Sequence, residues 1–158
     1  MKLVLVRHSR AYESNQDPER NLTDEGIREA KTTAKFLQKT NWKFSAIYTS
    51  PLNRALQTAN ILQSSLSCDV VPKKDLSPNL AINHFKEFLT NFSLSENLVF
   101  VLHMPDISWI ASHILNIPEQ NLFFSTGATM GINIQEITPI PKGILIFLYQ
   151  PEMLESIQ

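Results

Sequence analysis

Five residues have the types and the placing to do chemistry together: Arg7, His8, Arg20, Arg54 and His103. Histidine is the side chain whose charge changes near neutral pH, and its neutral ring is a nucleophile. Arginine stays charged at any working pH, and its planar fork matches the oxygens of a phosphoryl group. Three arginines and two histidines with no dedicated carboxylate describe a site for a dianionic group. Each residue alone reads otherwise. An arginine at a strand end is usually a solvated charge, and a histidine after a buried strand is usually structural. His84 and His113 keep that plain reading. His113 lies ten residues past His103, roughly 280° around a helix, so the two do not face one ligand.

What joins the five is the set of elements that must carry them. Residues 3–6 form a short aliphatic run that reads as a buried strand and ends at Arg7-His8. A polar loop over residues 9–22 carries Arg20. Thr23 offers an N-cap, with Asp24 and Glu25 in the first turn of a helix that lines up Ile27, Ala30, Ala34 and Leu37. Residues 46–48 form a second strand, running into Ser50 as a cap and Pro51 at the first helical position. The helix that follows bears Arg54 and an apolar face of Leu52, Ala55, Leu56, Ala59, Leu62 and Leu66. Residues 69–71 suggest a third strand and 80–92 a helix. Residues 98–102, the strongest buried strand, run into His103, and Pro105 starts another helix. Residues 129–134 and 143–149 form a late strand pair around a turn at Lys142-Gly143. This order predicts an α/β fold: a three-layer α/β/α sandwich with a mainly parallel sheet and an antiparallel C-terminal strand. In such sheets ligands bind beyond the carboxyl ends of the strands, so the five residues are expected at one edge.

Composition narrows the alternatives. The 158 residues suggest a single domain over 1–158, with no repeat, linker or low-complexity stretch. A net charge of −1 gives no field for nucleic acid. The one cysteine, Cys68, excludes an intramolecular disulfide and a cysteine-cluster zinc site. No metal-ligand spacing appears, so neither a metal nor another cofactor is expected. Only four glycines are present, in neither of the glycine-rich phosphate-binding patterns. The apolar runs are too short for a signal peptide or a membrane span, and a cytoplasmic location is expected.

Several ordered segments resemble the histidine phosphatase (phosphoglycerate mutase-like) superfamily. Arg7-His8 is similar to its R-H-G signature, and Leu22-Thr23-Asp24-Glu25-Gly26, with Arg20 just ahead, to its L-T-x-x-G segment. Residues 50–59, S-P-L-N-R-A-L-Q-T-A, resemble S-P-x-x-R-A-x-Q-T-A closely. Leu102-His103-Met104-Pro105 and Phe124-Ser125-Thr126-Gly127-Ala128 resemble the short SixA-type branch. The resemblance implies metal-free phosphoryl transfer through a phosphohistidine on His8. Arg7, Arg20 and Arg54 would clamp the phosphoryl oxygens, and His103 would donate a hydrogen bond to the same group. The implied substrate is a protein phosphohistidine. A small phosphorylated metabolite is the alternative, and a catalytically degenerate phospho-ligand binding module a third reading.

Two departures shape these expectations. Ser9 stands where the family has glycine, which matters if that position needs a positive φ. The helix-borne carboxylic acid that protonates the leaving group has no clear counterpart. Asp75, Asp106 and Glu13 are candidates, each also readable as a cap or a solvated charge.

Overall fold

A computed structural model describes residues 1–14 and 19–155, the last two as backbone only. Residues 15–18 of the loop expected over 9–22 lie outside the described residues. Six strands form one sheet: β1 (Lys2–Arg7), β2 (Ala46–Thr49), β3 (Asp69–Pro72), β4 (Leu98–Leu102), β5 (Thr129–Glu136) and β6 (Lys142–Tyr149). Their order across the sheet is β3-β2-β4-β1-β5-β6. β3, β2, β4 and β1 run parallel. β5 runs antiparallel to both β1 and β6. The reversed strand is therefore the penultimate one, and β6, at the sheet edge, again points the way β1 does.

Alternation along the strands divides the core in two. Leu3, Leu5, Leu98, Phe100 and Leu102 face one side, with Phe85 and Leu89 of α3 (Ile82–Leu89) and Ile107, Ile110 and Ile114 of α4 (Asp106–Leu115). Val4, Val6, Val99 and Val101 face the other, with Ala34 and Leu37 of α1 (Asp24–Lys39) and Ala55, Ala59 and Leu62 of α2 (Asn53–Leu66). The sheet needs apolar residues throughout β4 and at the four central positions of β1, Leu3 to Val6, because both of its faces are covered. This is the three-layer arrangement that the alternation of elements predicts.

Two helix starts show how local chemistry sets the ends. Thr23 caps α1 as expected, its Oγ1 accepting from the N–H of Gly26 at 3.0 Å. Ser50-Pro51 does not start α2. The helix begins at Asn53, and Ser50 Oγ instead accepts from the N–H of Leu52 at 3.3 Å. That extra half-turn lets the chain leave β2 before it winds into the helix. α3 is shorter than the span expected over 80–92. A last short helix, α5 (Glu152–Glu155), ends the described chain. Among the described residues no helix is long and apolar enough to cross a membrane.

Candidate active site

Strand register puts the site together. β1 and β4 are parallel neighbours with Arg7 opposite Leu102, so the next residues, His8 and His103, emerge side by side. Their ring centroids lie 5.1 Å apart with the planes tilted by 54°. β2 is the other neighbour of β4, with Thr49 opposite Val101, so the chain to Arg54 leaves the same edge. The side chains are withdrawn from water: His8 is 8%, Arg54 5% and His103 2% exposed.

The hydrogen bonds of His8 assign its tautomer. Nδ1 lies 2.8 Å from the carbonyl oxygen of Ser9, which can only accept, so Nδ1 carries the proton. Nε2 then holds a lone pair, which accepts from Nε–H of Arg54 at 3.3 Å. Burial pushes the pKa of His8 down from 6.5 to about 4, and the charges of Arg54, Arg7 and Arg20 push the same way against the Ser9 hydrogen bond. The ring is neutral at pH 7 and presents a lone pair among cations. That is the chemistry of a nucleophile toward an anionic phosphorus centre.

Arg7 and Arg20 each donate to a backbone carbonyl. Arg7 donates from Nη1 to the carbonyl of Phe124 at 2.7 Å, and its buried Nε has no acceptor among the described residues. Arg20 donates from Nε to the carbonyl of Tyr12 at 2.7 Å, and its Nη2 lies 3.5 Å from the exposed carboxylate of Glu13. Arg20 is close enough for its charge to act on His8. All five expected residues therefore belong to one electrostatic neighbourhood.

The segment over residues 50–59 does more than carry Arg54. Gln57 accepts from the N–H of Leu22 at 2.8 Å and donates to Asn21 at 3.0 Å, which fixes the loop bearing Arg20. Thr58 donates to the carbonyl of Arg54 at 2.7 Å and accepts from the N–H of Ser9 at 3.0 Å. Ala55 and Ala59 are fully buried, so the helix packs closely behind these contacts. At Gly26 a Cβ would overlap the carbonyl of Arg10, so only glycine lets α1 approach the chain just after His8.

Ser9 needs no glycine conformation, since it is not among the positive-φ residues. It is fully buried, and its hydroxyl lies beside Gly127, where an added Cβ would stand 3.3 Å from Ser9 Oγ. Gly127 adopts φ +70°, and its lack of a Cβ leaves room for the Ser9 hydroxyl. Residues 124–128 are thus the wall behind His8. Gly127 donates its N–H to the carbonyl of His8 at 3.2 Å, and Arg7 donates its own N–H to the carbonyl of Ala128 at 2.9 Å.

The sequence reading misses Glu29. Its carboxylate is buried beside the site, accepting from the N–H of Arg10 at 2.8 Å and from the hydroxyl of Thr126 at 2.9 Å. Burial raises its pKa, against those two hydrogen bonds and the charge of Arg10. The expectation of no dedicated carboxylate is thereby corrected: one acid lies behind the arginines and acts on the charge of Arg7. Helical spacing carried the signal, because Glu29 falls between Gly26 and Thr33 on the buried face of α1.

The three candidate acids are not placed alike. Glu13 and Asp75 are exposed, Glu13 against Arg20 and Asp75 on a surface cavity of about 500 Å³ shared with His84 and Glu87. Asp106 is 2% exposed, and its Oδ2 accepts from the N–H of Leu80 at 3.1 Å. His113 bonds the carbonyl of Trp109 at 2.8 Å on its own helix, as its plain reading implies. Among the described residues no group of three or more His, Cys, Asp or Glu side chains is placed to hold a metal ion.

Comparison with known proteins agrees with this geometry. The model of the histidine phosphatase superfamily, branch 1, matches residues 3–77. An uncharacterized protein of Picosynechococcus sp. is 34% identical over 113 residues, covering 68% of this chain and 68% of the relative. A 2,3-bisphosphoglycerate-dependent phosphoglycerate mutase of Dichelobacter nodosus is 37% identical over 73 residues, 43% of this chain and 30% of the mutase. In fold, the protein histidine phosphatase SixA complexed with tungstate superposes with a TM-score of 0.87 at 20% identity, covering 98% of this chain and 99% of that one. The alpha-ribazole phosphatase of Shigella flexneri gives 0.76 at 17% identity, covering 96% and 97%. By sequence match, fold and the residues at the sheet edge, the chain belongs to the histidine phosphatase superfamily.

Proposed function

We propose that the chain is a phosphatase of protein phosphohistidine working through a covalent phosphohistidine on His8. The observation that carries this is the neutral His8 ring, with Nδ1–H on the Ser9 carbonyl and the Nε2 lone pair facing Arg54. Nε2 attacks phosphorus in line with the leaving group. The new N–P bond forms as the bond to the leaving imidazole breaks, and the leaving ring takes its proton from solvent. Positive charge that builds on His8 is offset by the hydrogen bond from Nδ1–H to Ser9. Arg54 exchanges the Nε2 lone pair for phosphoryl oxygens, joined by Arg7, Arg20 and His103. The buried Nε of Arg7 gains the acceptor that it lacks among the described residues. Water then attacks the phosphoryl group, releases inorganic phosphate and restores the lone pair.

The placing of the acids favours phosphohistidine over a sugar phosphate. Glu13 and Asp75 are solvated, and Asp106 accepts through Oδ2 from the backbone N–H of Leu80. An imidazole leaves without help from a strong acid, whereas an alkoxide needs one. The fold likeness to SixA over nearly the whole of both chains supports the same reading. The test compares hydrolysis of a phosphohistidine-bearing carrier protein with that of sugar phosphates. Preference for the carrier, with acid-labile and base-stable label trapped on His8 and absent from His8→Ala, is the expected result. Faster turnover of sugar phosphates selects the small-molecule alternative. Phosphate binding without turnover of either selects the binding module.

A further inference from the structure

We infer that Glu29 is a positioning residue that clamps the two backbone segments on either side of His8. This rests on the proposed role of His8 as nucleophile. On the side away from the attacking nitrogen the ring is held by the bond from Nδ1–H to the Ser9 carbonyl, so that anchor is only as firm as residues 9–10. Those residues are held from two helices. Ser9 donates its N–H to Thr58 of α2, and Arg10 donates its N–H to Oε2 of Glu29 on α1. The second oxygen of Glu29, Oε1, accepts from the hydroxyl of Thr126. Thr126 precedes Gly127, whose N–H holds the His8 carbonyl and whose own carbonyl accepts from Thr33 of α1 at 3.0 Å. One carboxylate thus bridges the strand that carries the nucleophile and the loop that backs it.

The surroundings favour a geometric role over a purely electrostatic one. Arg10 Nε lies 3.8 Å from Oε1 of Glu29, and Arg10 Nη1 pairs at 2.9 Å with Glu25, one turn away. Arg7 feels the charge of Glu29 as well. Glutamine at position 29 would keep the clamp. Its carbonyl oxygen can accept from Arg10 N–H, and its amide can donate to the Thr126 hydroxyl, which rotates to accept. Alanine would remove both bonds, and Thr126→Val would remove one without emptying the space.

The experiment measures kcat and KM on a small chromogenic phosphate ester, and separately the titration and tautomer of the His8 ring by NMR. Loosening a nucleophile by about 1 Å lowers turnover on the order of 10²-fold. Glu29→Ala is expected to lose most of kcat with little change in KM, Thr126→Val to lose less, and Glu29→Gln to stay within about threefold of wild type. In Glu29→Ala the Nδ1–H bond to the Ser9 carbonyl, which holds the His8 pKa up against burial and the arginine charges, should weaken, so the ring loses its single Nδ1–H tautomer and titrates lower than in wild type, while Glu29→Gln should leave both unchanged. The NMR arm needs no turnover, so it tests the clamp even if the chain is not a phosphatase. Should Glu29→Ala fail to fold, Thr126→Val and Glu29→Gln decide the matter. Equal loss in the glutamine and alanine variants would overturn the proposal, as would an unmoved His8 titration in a folded Glu29→Ala or Thr126→Val.

Discussion

The first and second halves of the chain build the site by different means. Residues up to the end of α2 supply charged and reactive side chains: Arg7, His8, Arg20 and Arg54, with Glu29 behind them. Residues from β4 onward supply one such side chain, His103, and otherwise backbone. The carbonyl of Leu102 accepts from the His8 N–H at 3.0 Å, that of Phe124 accepts from Arg7, and the Gly127 N–H donates to the His8 carbonyl. Side-chain chemistry demands particular residues at particular spacings, so it leaves motifs. Backbone chemistry demands only a path, which many sequences can follow. The family model accordingly matches residues 3–77.

The largest expected effect tests the side-chain half. Arg54 is 5% exposed and donates to Nε2 of His8, the nitrogen proposed to attack. Arg54→Ala is expected to lower kcat by about 10²–10³, the loss seen when a donor to a charged transition state is removed. Steady-state kinetics on a chromogenic ester would show it. A loss below about tenfold would mean that Arg54 leaves the ring without replacing that bond at phosphorus, and the contrast between the halves would weaken.

The next effect tests what the second half contributes by enclosing His8. Burial is the leading cause of the low His8 pKa, about 4 against 6.5 for the free group. A histidine with a depressed folded-state pKa binds fewer protons folded than unfolded between those values. Its contribution to stability is therefore complete above pH 6.5 and is lost as pH falls toward 4. The shift corresponds to about 3 kcal/mol. Denaturant unfolding at pH 7 and pH 4 should show wild type losing more stability than His8→Ala by an amount of that order. Turnover should fall over the acid limb near pH 4 as the lone pair is protonated. Equal losses in wild type and variant would mean that the second half does not dry the ring.

How legible each part was in the sequence follows the same division. The layers and strands could be read because β4 and the centre of β1, residues 3–6, are uniformly apolar while α1 keeps a helical stripe. Parallel register then brings His8 beside His103, a relation that strand order alone supplies. Helical spacing puts Glu29 on the buried face of α1, but its partners, the Arg10 backbone and Thr126, are contacts that spacing does not announce. The room for Ser9 escaped for a similar reason. It is provided at Gly127, more than a hundred residues away, where a Cβ would stand 3.3 Å from Ser9 Oγ. An antiparallel strand in the C-terminal pair could also be expected, and the pairing with β1 shows that β5 is the reversed one.

The smallest effect concerns Asp106, where the second half could still hold a reactive side chain. Its carboxyl is raised by burial, the shift expected of a proton donor, but two backbone N–H groups, of Leu80 and Asn79, oppose that shift. A carboxylate that accepts from backbone is an anchor: it ties residues 79–80 to the start of α4, three residues after His103. Asparagine keeps an acceptor for the Leu80 N–H, so Asp106→Asn should lose about 1 kcal/mol or less of stability and hold kcat within about threefold. Asp106→Ala leaves that N–H buried without a partner and should lose about 1–3 kcal/mol, with kcat again little changed. Urea unfolding and kinetics on a phosphate ester with a poor leaving group separate the two roles. A poor leaving group needs a proton, so a donor at position 106 would show as a collapse of kcat in Asp106→Asn on that ester alone. That outcome would return a reactive side chain to the second half and erase the contrast between side chain and backbone.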